Sequence, residues 1–81
     1  MARIWLPPSL CEGFMPGVGE LEIEAASIFQ LVRALDRMSP GFAAFIEKKV
    51  AIAVDGEVSP DWTTALTTCS QVALIPRIAG G

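Results

Sequence analysis

The most constraining feature of this sequence is a single long stretch of helical periodicity in the middle of the chain. Its apolar residues recur at three- and four-residue spacing, which is typical of a helix with one buried face: Ile28, Leu31, Val32, Leu35 and Met38. Ser27 precedes the stretch as an N-cap, and Gln30 completes a capping-box pattern. Asp36 falls elsewhere on the helix surface, and Pro40-Gly41 ends the helix. Residues Phe42–Lys49 predict a second, short helix.

Short stretches on both sides of the long helix predict strands, because they alternate or are apolar throughout. They are Ala2–Leu6, Glu20–Ala25, Val50–Val54, Glu57–Ser59 and Val72–Ile75. The first two are expected to form a hairpin, and Asp55-Gly56 is a turn signal between the next two. The runs at Val50 and Val72 are apolar on both faces and belong near the centre of a sheet. One helix packed across one sheet in this order gives an α+β, two-layer domain.

Length and composition limit the classes of protein that this chain can belong to. The 81 residues suffice for one domain with one modest core. A hydrophobic content of 52% argues against intrinsic disorder, and a net charge of −3 argues against nucleic acid as a partner. No apolar run is long enough for a membrane span or a signal peptide, so we expect a cytoplasmic protein. Lys48 and Lys49 are interpreted as cations that complement the dipole at the end of the short helix.

The side chains offer little for catalysis by this chain alone. The sequence contains no His and no Tyr, and Glu20, Glu22 and Glu24 alternate along one strand as a solvated surface. Cys11 and Cys69 are far apart and form no CxxC pair, so we predict no metal site. Trp62, in the loop before the last strand, is predicted to hold that loop against the core. We therefore do not expect an enzyme that acts alone.

The chain ends on Gly80-Gly81, directly after the apolar run of the last strand. We divide it into a domain of residues 1–75 and a flexible tail of residues 76–81. Glycine allows a backbone to approach a partner closely, so the tail suits insertion of a carboxyl group into a narrow channel of another protein. A frayed terminus is the alternative interpretation. Adenylation by ATP would activate the Gly81 carboxylate, and a sulfur nucleophile, an amine or a thiol could then attack it.

The element order, the chain length and the ending resemble those of the MoaD/ThiS family of sulfur carriers, which share the ubiquitin-like β-grasp fold. The ending that carries the resemblance is Val72-Ala73-Leu74-Ile75-Pro76, followed by Ala79-Gly80-Gly81. The resemblance implies a mixed sheet of four to five strands with one main helix packed across it, in ββαββ order.

The same resemblance implies a function. A MoeB/ThiF-like adenylating enzyme would use ATP to activate Gly81, which would become a thiocarboxylate, and a MoaE-like large subunit would receive the sulfur for molybdopterin synthesis. Gly80 would provide clearance, and four residues would guide the tail: Pro76, Arg77, Ile78 and Ala79. The chain would be a carrier subunit rather than an enzyme and would bind no cofactor itself. Apolar sheet surface beside the last strand would dock the partners.

Several alternatives stay open at this point. Chain length and the Ile75-Pro76 step favour the MoaD branch, whereas the ending Ile78-Ala79-Gly80-Gly81 also fits the ThiS branch, which supplies sulfur to the thiazole of thiamin. MoaD tails often have a second proline where this chain has Arg77. A ubiquitin-like protein modifier and a binding module without sulfur chemistry are further hypotheses.

The β-grasp fold also bears on the two cysteines. In such a sheet the first and last strands run parallel side by side, which puts Cys11 and Cys69 at opposite ends of the sheet. A disulfide requires Cα atoms within about 7 Å. We therefore predict two free thiols.

Overall fold

The computed structural model describes residues 1–7, 13–14, 16–67 and 70–76. Within these residues the elements are β1 (Ala2–Trp5), β2 (Glu20–Ile23), α1 (Ile28–Met38), α2 (Phe42–Lys49), β3 (Val50–Val54), β4 (Glu57–Val58) and β5 (Gln71–Pro76). Every predicted helix and strand is present. Three strands end one or two residues earlier than predicted, whereas the last strand is one residue longer at each end. The predicted α+β class is confirmed.

The five strands of the described chain form one mixed sheet in the order β2-β1-β5-β3-β4. β1 pairs antiparallel with β2, which confirms the predicted hairpin. β1 also pairs parallel with β5, through pairs that include Arg3↔Gln71 and Trp5↔Ala73. β3 lies antiparallel on the other side of β5 and carries the short β4 at the sheet edge. The last strand of the chain is therefore the central strand of the sheet.

The hydrophobic core lies between α1 and one face of the sheet. That face contributes the buried side chains of Ile4, Ile52 and Leu74, and α1 contributes Ile28, Leu31, Val32 and Leu35. The prediction that Met38 belongs to the buried stripe is wrong, because its side chain is 54% exposed. At 100° per residue, Met38 lies about 70° from the centre of the stripe. It is also the last residue of the helix.

The corner between the two helices depends on Asp36. Its Oδ1 accepts hydrogen bonds of 3.0 Å from the backbone N–H groups of Gly41 and Ala43. Gly41 is the N-cap of α2 and offers no side-chain acceptor, and its φ of 96° lies in the left-handed region that favours glycine. A carboxylate on α1 thus caps the start of α2. The sequence placed Asp36 on the helix surface without this role.

The start of α1 is held by its own cap and by the loop before β5. Ser27 Oγ accepts from the Gln30 N–H as predicted, but Gln30 Oε1 accepts from the Ala26 N–H instead of from Ser27. The carbonyl of Trp62 accepts from the Phe29 N–H at 2.8 Å. Trp62 itself is half-buried against the core, so the prediction that it holds this loop in place is confirmed. No helix in the described parts of the chain is long and apolar enough to cross a membrane.

Candidate functional site

The candidate site begins where the central strand ends. Val72 and Leu74 of β5 are buried, and the strand pairs with β1 on one side and with β3 on the other. The last pair in the β3–β5 ladder is Val50↔Pro76. Proline has no N–H, and the N–H of Val50 is donated to the Ile46 carbonyl. Neither residue of this pair can therefore donate across the ladder.

Of the predicted site residues, Pro76 is described, and it is the exposed end of β5. Arg77, Ile78, Ala79, Gly80 and Gly81 lie outside the described residues. We call Ile75 and Pro76 the tail root. Five residues follow it in the sequence, and a fully extended chain of that length spans at most about 17 Å. The tail root therefore limits how far from the domain residue 81 can lie.

A shallow apolar groove runs across the sheet face that is turned away from the helices, which we call the open face. The strand registers place Trp5, Ala73, Ala53 and Val58 in one row across β1, β5, β3 and β4. Trp5 is 48% exposed and Val58 is 62% exposed, whereas the two alanines between them are small. Large side chains therefore flank a low centre. Ile75, at the tail root, is 37% exposed and lines the same groove.

Polar residues border this groove. Arg3 and Glu22 form an ion pair of 3.6 Å between Nη2 and Oε1, with both side chains more than half exposed. An exposed pair of this kind contributes at most about 1 kcal/mol to stability. Glu20, Gln71 and Asp55 also line the groove. An apolar centre with a polar border is typical of a surface that contacts another protein.

Sequence reasoning predicted apolar sheet surface beside the last strand but did not assign Trp5 to it. The signal was present in the alternation of β1: Ala2 and Ile4 are buried, whereas Arg3 and Trp5 are exposed. Because side chains alternate between the faces of a strand, an arginine two residues away marks the face of Trp5 as solvent-exposed.

One titratable group in the described residues has a clear electrostatic perturbation, and it lies outside this site. The hydroxyl and the backbone N–H of Thr63 both donate to Asp61 Oδ1, at 2.6 Å and 2.9 Å. These hydrogen bonds stabilise the ionised form and hold the pKa of the Asp61 carboxyl below its ordinary value. Asp61 thus stabilises the loop before β5.

Among the described residues, no three acidic side chains are grouped in a way that could hold a metal ion. Cys11 and Cys69 lie outside the described residues, so the two free thiols stay a prediction.

Comparison with known proteins identifies the family. The sequence model of the ThiS family matches residues 13–81. This chain belongs to the ThiS family. Members of the family are small, ubiquitin-like sulfur carriers that act with partner enzymes. Comparison with curated protein sequences found no significant match.

Solved structures of other proteins share the fold of this ThiS-family chain. A chain of the Amycolatopsis orientalis BexX/CysO complex superposes with a TM-score of 0.81 at 18% identity, covering 100% of both chains. Mycobacterium tuberculosis CysO, described as an antigen, superposes with a TM-score of 0.79 at 16% identity, and the match covers 96% of this chain and 100% of the CysO chain. A chain from the complex of subunits 1 and 2 of the Helicobacter pylori molybdopterin-converting factor superposes with a TM-score of 0.66 at 20% identity. The match covers 99% of this chain and 97% of that one. The predicted ubiquitin-like β-grasp fold is therefore confirmed.

Proposed function

We propose that this chain is a sulfur carrier whose Gly81 carboxylate is adenylated by a partner enzyme and then converted to a thiocarboxylate. The observation that carries the proposal is the Gly80-Gly81 ending, which follows the central strand β5 in a ThiS-family chain. A strand paired on both sides, with Val72 and Leu74 buried, holds the tail root in a fixed position. A partner that docks on the domain therefore meets the tail at a defined starting point.

The chemistry proceeds in two steps. C-terminal carboxylates are ionised at neutral pH, and an ionised carboxylate is a poor acceptor for nucleophiles. In the first step a carboxylate oxygen of Gly81 attacks the α-phosphorus of ATP bound by the partner, which forms an acyl adenylate and releases pyrophosphate. In the second step a hydrosulfide ion attacks the carbonyl carbon, the bond to the AMP oxygen breaks, AMP leaves, and loss of the S–H proton gives the thiocarboxylate. Because Gly80 and Gly81 have no side chains, both steps can occur inside a narrow channel.

The pathway that we propose is that of the MoaD-like small subunit, in which a MoaE-like large subunit uses the sulfur to make molybdopterin. Support comes from the Ile75-Pro76 sequence at the end of β5, which favours the MoaD branch. The ending Ile78-Ala79-Gly80-Gly81 keeps a ThiS-like role in thiamin thiazole synthesis as the second candidate.

We expect the MoeB/ThiF-like activating enzyme to dock on the open face of the sheet. The apolar groove beside Trp5 extends to Ile75 at the tail root. A partner that covers this groove lies directly beside the residue from which the tail departs. Contact with the groove would therefore guide the tail toward the partner's active site.

Intact-mass measurement tests the proposal. The protein is incubated with ATP, a sulfur donor and a MoaD-type activating enzyme, and in parallel with a ThiS-type enzyme. Replacement of one oxygen by sulfur in one reaction supports the carrier and names its branch. A variant that lacks Gly81 and a variant extended by one residue beyond it should gain no sulfur. No mass change of the wild-type chain with either enzyme would overturn the proposal, and Gly81 in isopeptide linkage in cell extracts would favour a protein modifier.

A further inference from the structure

Two lysines lie beside the tail root. Val50 pairs with Pro76, and Lys48 and Lys49 directly precede Val50 at the end of α2. Both lysine side chains are exposed. The sequence adds a third cation, Arg77, immediately after Pro76. The chain has six Lys and Arg residues and a net charge of −3. Three of the six are next to the start of the tail, two of them by strand register and one by sequence.

Neither lysine is held in place by a carboxylate. Within the described residues, neither ammonium group takes part in an ion pair. Glu47 directly precedes Lys48 in α2, and Glu20 begins β2 at the same end of the sheet. Neither carboxylate forms an ion pair with a lysine. The positive charge at the tail root is consequently available to a partner.

Two carboxylates lie at the opposite end of β3. Asp55 follows the last residue of β3, and Glu57 begins β4. The five residues of β3 separate the two ends by about 17 Å. This distance is about twice the Debye length of about 8 Å at physiological ionic strength. An approaching charged surface therefore interacts with one end at a time, and the end that bears the tail is the one with Lys48 and Lys49.

These observations point to a role that rests on the proposed function. We infer that Lys48 and Lys49 form a cationic collar at the tail root, which recognises an acidic rim around the channel of the activating enzyme. The collar orients the carrier so that its tail enters first. Opposite charges on two protein surfaces raise the association rate by about 10- to 1,000-fold and select the orientation of docking.

The reach of the tail separates this role from a role in the chemical step. With the tail extended, the Gly81 carboxylate lies up to about 17 Å beyond Pro76. That distance also exceeds the Debye length of about 8 Å. The collar therefore acts on the rim of the channel and leaves the reacting carboxylate unaffected. Its removal should change kcat/KM and leave kcat intact.

Lysines in the last turn of a helix also complement its dipole, which is a purely structural role. The two roles predict different results at high salt and different results for variants at another helix end. Arg33 and Arg37 of α1 provide a matched control: they are exposed cations, Arg37 is in the last turn, and both line a groove with Glu24 away from the tail root.

The test measures the rate of pyrophosphate release against carrier concentration, with ATP and the activating enzyme that accepts the wild-type chain. The variants are Lys48→Glu/Lys49→Glu, the conservative Lys48→Arg/Lys49→Arg, and the control Arg33→Glu/Arg37→Glu. Both Glu variants replace two cations by two anions. Each rate is measured from about 0.01 M to about 1 M salt, over which the Debye length falls from about 30 Å to about 3 Å. Urea unfolding of each variant confirms that it is folded.

At low salt the Lys→Glu variant should lose at least about tenfold in kcat/KM with an unchanged kcat. The loss should disappear at high salt, and the Lys→Arg variant and the Arg→Glu control should stay within about twofold of wild type. An equal loss in the control would assign the effect to net charge, and a loss that persists at high salt would assign it to helix structure; either result overturns the collar. An active wild-type chain with no loss in the Lys→Glu variant also overturns it. Failure of the wild-type chain to be activated would overturn the proposed function and the collar together.

Discussion

Replacing Trp5 by alanine should weaken binding of the activating enzyme about 30- to 150-fold. Trp5 is 48% exposed, so about half of the 150–250 Å² that an aromatic side chain can bury remains for a partner to cover. At about 25 cal/mol per Å², covering about 75–125 Å² contributes about 2–3 kcal/mol. Each 1.4 kcal/mol is about a factor of ten in Kd, which gives the expected range.

A matched variant tests whether position on the surface matters. Phe29 is 50% exposed, but it lies on α1, on the side of the domain opposite the open face. Phe29→Ala removes a comparable exposed aromatic surface and should leave Kd within about twofold. Trp5→Phe keeps an aromatic ring in the groove and should recover most of the lost affinity.

Titration calorimetry without ATP measures these affinities before any chemistry begins. Urea unfolding of the same proteins shows whether a loss in binding comes from a loss of folded protein. If Trp5→Ala binds as well as the wild-type chain, or if Phe29→Ala weakens binding by the same factor, the open face is not the docking surface.

Two further predictions concern stability. Asp36→Ala should lower the free energy of unfolding by about 1–2 kcal/mol, because the two N–H groups at the start of α2 lose their acceptor. Asp36→Asn retains an oxygen acceptor, so urea titration should show a smaller loss of unfolding free energy. An equal loss in both variants would contradict the capping role. Because the pKa of Asp61 is lowered in the folded protein, its carboxylate stabilises the folded state at pH values above the unfolded pKa of about 3.9. This stabilisation is lost as the pH falls through the lower folded pKa. Unfolding midpoints measured from neutral to acidic pH should thus fall less steeply for Asp61→Asn than for the wild-type chain, and parallel curves would refute this assignment.

The elements were predictable because their signals are local. The spacing from Ile28 to Leu35 encodes a buried helical face, and Asp55-Gly56 encodes a turn, where both residues adopt positive φ values of 50° and 88°. The ends of the strands were less predictable, because pairing rather than propensity decides where a strand stops. Pro76 belongs to β5 because Val50 lies opposite it.

What the sequence did not reveal depends on contacts between distant residues. Asp36 caps α2 only because the chain turns at Gly41 and brings the new helix back to it. The row from Trp5 to Val58 exists only because β5 enters between β1 and β3. The Gly80-Gly81 ending was evident from the sequence alone, whereas the groove beside the tail root required the sheet registers.

The central place of the last strand has a consequence for the order in which the protein is made. Synthesis starts at the N-terminus, so the β1–β2 hairpin and the β3–β4 hairpin emerge before β5 exists. A lone hairpin is marginally stable at best, and in the described sheet these two hairpins are hydrogen-bonded to each other only through β5, which lies between them. A nascent chain that stops short of β5 has no complete sheet to fold into. Enzymes that recognise the folded surface consequently encounter chains whose tail-bearing strand is already in place.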